Sequence, residues 1–176
     1  MNKYSAISFD LDNTLWPVEP SIIHAEDVLY NWLSVHYPKL TSQFSKEDIQ
    51  VFREPILEMY KDKLHDLTFV RTALLLELAE SVDYPESMAY EAMVIYREAR
   101  NRVTYYADVM SAIEKLASCF TLIVITNGNA EIEKLLIRNG GSDFPEKLNV
   151  SEIFLNKSIF KSIPESNTAF LKFYFC

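Results

Sequence analysis

Glycine is absent from the first 127 residues of this chain, and this absence limits the folds that the sequence can adopt. All three glycines of the 176 residues lie between Gly128 and Gly141. Glycine supplies the positive φ angles that tight β-hairpin turns require. A long glycine-free stretch favours helices over hairpins, so we predict that most of the region before Gly128 is helical.

Two short segments near the ends of this stretch have the pattern of β-strands. Residues 4–10 alternate and then run into an acidic loop that begins at Asp10. Residues 120–126 are almost continuously apolar and β-branched, which is typical of a strand buried on both faces of a parallel sheet. The second segment ends at Asn127-Gly128-Asn129.

Start signals for four helices lie between the two predicted strands: Pro20, Ser45 with Asp48 as a capping box, Asp66, and Pro85. A further helix at 107–118 leads into the second strand, and another at 130–139 stops at Gly140. The four helices are expected to end near His36, Leu64, Val82 and Arg102.

This order of elements predicts an α/β fold, with a Rossmann-like parallel-sheet core and an inserted cap of four helices. The core would comprise residues 1–17 and 105–176, and the helical cap residues 18–104. The last 36 residues are rich in phenylalanine but poorly periodic. They fit either a docking segment, with a strand at 148–155 and a short helix at 165–174, or a degraded or shifted C-terminus.

Composition and charge exclude several classes of protein. Apolar residues make up 49% of the chain and charged residues 24%, close to an ordinary soluble globular protein. The net charge of −8 argues against nucleic-acid and anionic-membrane partners, and no apolar run is long enough to span a membrane. The segment before Asp10 is too short for a signal peptide, and Cys119 and Cys176 fit free thiols, so we expect a cytoplasmic protein.

Two aspartates, Asp10 and Asp12, directly follow the first predicted strand. Open α/β sheets bind ligands at the carboxyl ends of their strands, and two carboxylates two residues apart can face the same crevice. Such a pair can hold a hard cation such as Mg²⁺, can divide into a nucleophile and an acid/base, or can merely cap a turn.

The second strand ends in Thr126-Asn127-Gly128, which is a candidate anion site. A hydroxyl and backbone N–H groups at a helix N-terminus can hold phosphate oxygens. Taken alone, a threonine followed by Asn-Gly at a strand end is more often ordinary turn chemistry.

Together, the two segments resemble the first two motifs of the haloacid dehalogenase-like (HAD) hydrolase superfamily. Asp10, Asp12 and Thr14 match the first motif, and Thr126 matches the second. The helices predicted at 18–104 match, in position and length, the cap that one subfamily inserts after its first motif.

A closer likeness, over about residues 4–135, is to bacterial flavin mononucleotide (FMN) phosphatases, which also dephosphorylate the ribitylaminouracil phosphate of riboflavin synthesis. The segments that carry it are Phe9–Leu15, His36-Tyr37-Pro38, Asp66-Leu67-Thr68 with Arg71, and Ile125–Ala130. The resemblance implies a small phosphorylated metabolite as substrate, such as FMN or a related riboflavin-pathway phosphate.

The resemblance also implies a mechanism and a cofactor, Mg²⁺. Asp10 attacks phosphorus and forms an aspartyl-phosphate, while Asp12 acts first as general acid and then as general base. Mg²⁺ binds a carboxylate oxygen of Asp10 and the backbone carbonyl of Asp12, and Thr126 with the N–H groups of Asn127 and Gly128 holds phosphate oxygens. Dehalogenase members lack the acid at the position of Asp12, so phosphate hydrolysis is favoured over carbon–halogen cleavage.

Two further motifs of the superfamily are not found after Thr126. The third is a lysine, usually followed by proline, for which Lys161 is a distorted match and Lys157 a weaker one. The fourth is an acidic pair that completes the Mg²⁺ shell, and no adjacent acidic pair follows a strand here. We therefore expect a core truncated at its C-terminus, with an exposed sheet edge that favours self-association. The alternative to an active enzyme is a truncated or frameshifted remnant that keeps only the phosphate cradle.

Overall fold

The computed structural model describes residues 6–124 and Thr126. In this part of the chain, a series of helices lies between two strands in sequence order. In chain order the elements are β1 (Ala6–Phe9), α1 (Val18–His36), α2 (Pro38–Gln43), α3 (Lys46–Met59), a 3₁₀ turn (Lys61–Lys63), α4 (Leu67–Ser81), α5 (Ser87–Arg100), α6 (Val109–Ala117) and β2 (Thr121–Val124).

Strands β1 and β2 pair in parallel, with Phe9 opposite Val124. Two parallel strands need a long crossover connection, and helices α1–α6 all lie in that connection. The predicted α/β architecture with inserted helices is therefore confirmed. Because both strands run in the same direction, Asp10 and Thr126 follow them at the same end of the sheet, where the carboxyl ends of the strands lie.

The helix start signals are confirmed at two caps. The Ser45 hydroxyl accepts a hydrogen bond from the backbone N–H of Asp48 at 3.1 Å, and the Ser45 N–H donates to the Asp48 carboxylate at 2.9 Å. At the start of α4, the Asp66 carboxylate accepts from the N–H of Phe69 at 2.9 Å. Each side chain satisfies a backbone donor that the first helical turn leaves without an intrahelical partner.

Two details of the predicted helices are wrong. Helix α3 ends at Met59 rather than near Leu64, because the backbone leaves the helical region at Tyr60 (φ −112°, ψ 32°) and tightens into the 3₁₀ turn. The prediction of four helices also omitted α2, a six-residue helix that begins at Pro38. Proline suits a first helical position, where an N–H group would have no intrahelical partner.

Several predictions fall on parts of the chain outside the described residues. They are the helix at 130–139, the strand at 148–155, the helix at 165–174 and the truncation of the core. Among the helices that the structure describes, none is both long enough and apolar enough to cross a bilayer.

The buried apolar side chains form two clusters. The first lies among the helices α1–α5, where Leu33 and Leu78 are almost fully buried. The second contains Leu11, Leu15, Trp16, Val103, Val109, Ile113, Leu122 and Val124. The loop that follows β1 is therefore anchored by its own apolar side chains in the core beside the sheet.

These clusters support the division into a core at 1–17 and 105–176 and a cap at 18–104, which remains our proposal. Val103 packs in the sheet-side cluster, although the proposed boundary assigns it to the cap. The chain would then return from the cap to the core just before Val103.

Candidate active site

The loop after β1 holds its shape through a tight turn and buried anchors. The carbonyl of Leu11 accepts hydrogen bonds from the N–H groups of Thr14 at 3.1 Å and Leu15 at 2.8 Å. Leu11, Leu15 and Trp16 are buried, whereas Asp10 is exposed. The alternation of buried apolar and accessible polar residues presents the first aspartate to solvent on a fixed backbone.

Asn13 joins this loop to the first cap helix. Its backbone has a φ of 60°, a left-handed conformation that asparagine tolerates better than most residues. Its N–H donates to the carbonyl of Trp16 at 2.7 Å, and its side-chain oxygen accepts from the N–H of Val18 at 3.1 Å. The second bond satisfies a backbone donor in the first turn of α1, where Pro17 supplies no side-chain cap.

Asp10 and Thr126 are brought together at the carboxyl edge of the strand pair. Loss of hydration raises the pKa of the Asp10 carboxyl above its ordinary value of 3.8, and the nearby charge of Asp12 acts in the same direction. Hydrogen bonds from the Leu11 N–H and the Thr126 hydroxyl lower this pKa in part. Thr126 is itself buried. Asp10 of the first candidate motif and Thr126 of the second therefore lie side by side.

Asp12 lies deeper and is held by two side chains. The indole N–H of Trp16 donates to Asp12 Oδ1 at 2.8 Å. Nη2 of Arg100 donates to Oδ1 at 2.8 Å and to Oδ2 at 2.7 Å. Nη1 of Arg100 donates to the hydroxyl of Ser21 at 3.0 Å.

Sequence reasoning missed Arg100, although a signal was present. Along α5 the buried residues include Met88, Ala92, Tyr96 and Arg100, which share one face at four-residue spacing. A guanidinium on the buried face of an amphipathic helix needs a carboxylate partner. The partner, Asp12, lies in the loop that precedes the first inserted helix. Local sequence patterns do not indicate a pairing between residues so far apart in the chain.

Two other polar side chains, Trp16 and Arg71, make contacts with other protein side chains that explain their positions. Trp16 packs edge-on against Tyr105, with ring centroids 5.4 Å apart, and is buried. Arg71 pairs with Glu26 at 3.3 Å and stacks over the ring of Tyr96 at 3.8 Å. Ion pairing and packing thus account for Arg71 without a ligand.

The described residues include two of the oxygen donors that the proposed magnesium site would need. Among residues 6–124 and Thr126, no group of three or more His, Cys, Asp and Glu side chains is placed to hold a metal ion. The Asp10 carboxylate and the Asp12 backbone carbonyl are both oxygen donors, which suits a hard cation that retains several waters. The predicted phosphate ligands Asn127 and Gly128, and the candidate lysines Lys157 and Lys161, lie outside the described residues.

Comparison with curated proteins identifies one relative by sequence. The chain is 30% identical over 137 residues to the 5-amino-6-(5-phospho-D-ribitylamino)uracil phosphatase YigB of Escherichia coli K12. The alignment covers 76% of this chain and 57% of YigB, so the chain spans little more than half of that relative. No family model matches the chain.

Solved structures share the fold. A 2-haloacid dehalogenase from Pseudomonas syringae pv. Tomato DC3000 matches with a TM-score of 0.69 and 30% identity, over 85% of this chain and 63% of the dehalogenase. YfnB, a magnesium-bound HAD-hydrolase from Bacillus subtilis, gives a TM-score of 0.55 at 18% identity, over 93% of this chain and 76% of YfnB. At that identity the likeness concerns the fold alone. With the paired strands, the inserted helices and the meeting of Asp10 with Thr126, the two matches at 30% identity show that the chain belongs to the haloacid dehalogenase-like hydrolase superfamily.

Proposed function

We propose that the protein is a Mg²⁺-dependent phosphomonoester hydrolase that acts on a small phosphorylated metabolite. The observation that carries the proposal is the placement of Asp10 and Thr126 at one edge of the parallel strand pair. An exposed carboxylate beside a hydroxyl donor provides a nucleophile and a group that can hold a phosphate oxygen. The relative YigB, named as a phosphatase, supports the same reaction class.

Asp10 is the proposed nucleophile. One of its carboxylate oxygens bonds to phosphorus, the bond between phosphorus and the ester oxygen breaks, and an aspartyl-phosphate forms. Partial loss of hydration favours attack because less water must be displaced from the carboxylate. Thr126, with the backbone N–H groups of Asn127 and Gly128, is proposed to hold the phosphoryl oxygens.

Asp12 is the proposed acid and base. Its carboxyl group donates a proton to the departing alcohol oxygen as the ester bond breaks. The resulting carboxylate then accepts a proton from a water molecule, whose oxygen bonds to phosphorus. The bond from phosphorus to Asp10 breaks, so phosphate leaves and both aspartates return to their starting state.

A bound Mg²⁺ would neutralise negative charge on the phosphoryl group. The Asp10 carboxylate and the Asp12 backbone carbonyl are the described groups proposed to hold it. We propose that the lysine that balances charge in this superfamily comes from Lys161 or Lys157.

The proposed substrate is FMN or a related riboflavin-pathway phosphate. This choice rests on the likeness to YigB and on the cap segments that resemble FMN phosphatases. A cytoplasmic location, self-association through a sheet edge, and the absence of nucleic-acid and membrane partners belong to the same proposal.

Two alternatives make different predictions. A remnant that keeps the phosphate cradle would bind inorganic phosphate or FMN without releasing phosphate. A haloacid dehalogenase is suggested by the 30% identity to the Pseudomonas syringae enzyme. Asp12 argues against it, because a dehalogenase needs no acid for a departing alcohol.

The test is phosphate release from FMN and from p-nitrophenyl phosphate, with and without Mg²⁺, by the wild type and by Asp10→Asn. Turnover that requires Mg²⁺ and disappears in the variant supports the proposal. Folded wild-type protein that binds FMN but releases no phosphate supports the remnant. Halide release from 2-chloropropionate without phosphatase activity supports the dehalogenase.

A further inference from the structure

Arg100 is a buried cation that joins its own helix to two other segments of the chain. It is the last residue of α5, and only 2% of its surface is exposed. Its guanidinium binds Asp12 in the loop after β1 and Ser21 in the first turn of α1. The side chain therefore lies where the inserted helices leave the core and return to it.

The charge of Arg100 is compensated at this position. The carbonyl end of a helix carries partial negative charge and favours a cation. Removing a guanidinium from water is costly unless a carboxylate and further acceptors replace the lost hydration. Asp12 supplies that carboxylate, and the hydroxyl of Ser21 accepts a third hydrogen bond from the same guanidinium.

These bonds fix the orientation of the Asp12 carboxylate. Oδ1 receives two donors, the Trp16 indole N–H and Arg100 Nη2, whereas Oδ2 receives Arg100 Nη2. With both oxygens engaged by a rigid guanidinium, rotation about the bond to the carboxyl group would break at least one short hydrogen bond. A displacement of α5 would carry Arg100 with it and disturb Asp12.

We propose that Arg100 is a positioning residue for phosphoryl transfer, which holds the Asp12 carboxylate in the orientation needed for proton exchange and couples it to the cap. The proposal rests on the proposed phosphatase function. It assigns to a cap residue a role in the acid/base step rather than in the attack by Asp10.

The test uses two esters that differ in their need for an acid. p-Nitrophenolate leaves without protonation, whereas the ribityl alkoxide of FMN needs a proton. Because kcat/KM covers only steps up to departure of this group, its ratio for the two esters reports on the acid step. Arg100→Met is expected to lower kcat/KM for FMN about 100-fold, within the range of general acid catalysis, and that for p-nitrophenyl phosphate much less.

Two further variants separate positioning from folding. Arg97→Met removes an exposed arginine from the same helix and should leave the ratio at its wild-type value. Arg100→Lys keeps the charge without the planar fork, so the ratio should lie between those of wild type and Arg100→Met. If Arg100→Met does not fold, the lysine variant carries the test.

The variant that combines Arg100→Met with Asp12→Asn gives the most specific outcome. If Arg100 acts through Asp12, Arg100→Met should not change the ester ratio further in an Asp12→Asn background. Equal losses on both esters, or a further change of the ratio in that background, would overturn the Arg100 inference alone. A wild type that hydrolyses neither ester contradicts the proposed function itself, and with it any catalytic use of Arg100.

Discussion

The hydroxyl of Thr126 donates a hydrogen bond to the carboxylate of Asp10, although the inserted helices separate the two residues in the chain. The parallel register of Phe9 with Val124 places them at the same sheet edge. The proposed nucleophile and the proposed phosphate-binding hydroxyl thus follow adjacent strands, at the end of the sheet where open α/β sheets bind ligands.

The hydroxyl group of Thr126 should matter more for activity than the volume of the side chain. Thr126→Val keeps the shape but removes the donor, so kcat for p-nitrophenyl phosphate is expected to fall about 100-fold, as when one oxyanion donor is removed. Thr126→Ser keeps the hydroxyl and should retain most of the activity. Equal losses in the two variants would mean that Thr126 serves packing instead of phosphate binding.

Ionisation of Asp10 should reduce stability in metal-free protein. Because its pKa is raised in the folded state, the folded protein binds more protons than the unfolded chain between pH 3.8 and that higher value. The free energy of unfolding therefore falls as pH rises through this window and stays lower above it. Asp10→Asn lacks this loss, so its stability relative to wild type should increase as pH rises from about 3 through this window.

Urea unfolding with a metal chelator at a series of pH values measures this difference. Asp62→Asn, at an exposed position of the 3₁₀ turn, is the matched control for removal of a carboxylate. A relative stability of Asp10→Asn that does not change with pH would contradict the raised pKa.

The helical cluster should depend on Leu78. This side chain is fully buried in α4, so Leu78→Ala is expected to cost about 3 kcal/mol in free energy of unfolding, through lost burial and a cavity. Leu67→Ala, at a 48% exposed position of the same helix, should cost less than about 1 kcal/mol. Chemical denaturation of both variants gives the two values, and similar costs would place Leu78 outside the core.

The capping box of α3 should contribute measurably. Ser45→Ala removes the acceptor of the Asp48 N–H and is expected to cost about 1 kcal/mol in free energy of unfolding. Ser45→Thr keeps the hydroxyl and should cost less. If alanine and threonine were equally tolerated in thermal and urea unfolding, the cap would contribute nothing to the stability of the fold.

The sequence predicted elements whose signals are local. The strand segments around Phe9 and Val124, and the caps at Ser45 and Asp66, depend on side chains within a few positions of each other. Asp10 and Thr126 were each singled out because each follows a strand pattern. The resemblance of the two motifs to a known superfamily then connected them.

Other features depend on contacts between different elements, or on a segment too short to show a pattern. The pairing of Arg100 with Asp12 joins helix α5 to the loop that precedes α1, and no local sequence pattern specifies this pairing. The left-handed turn at Asn13 depends on the hydrogen bond from Val18 in the next element. Helix α2 has six residues, too few for a periodic apolar pattern to distinguish it from a loop.

The most direct test of the central claim is detection of a phosphoryl group on Asp10. Wild-type protein with Mg²⁺ and p-nitrophenyl phosphate is quenched in acid during turnover, and its peptides are analysed by mass spectrometry. We expect the mass of one phosphoryl group on the peptide that contains Asp10, removable by hydroxylamine and absent from Asp10→Asn. Steady phosphate release with no phosphorylated Asp10 peptide, or with the group on another residue, would contradict the account.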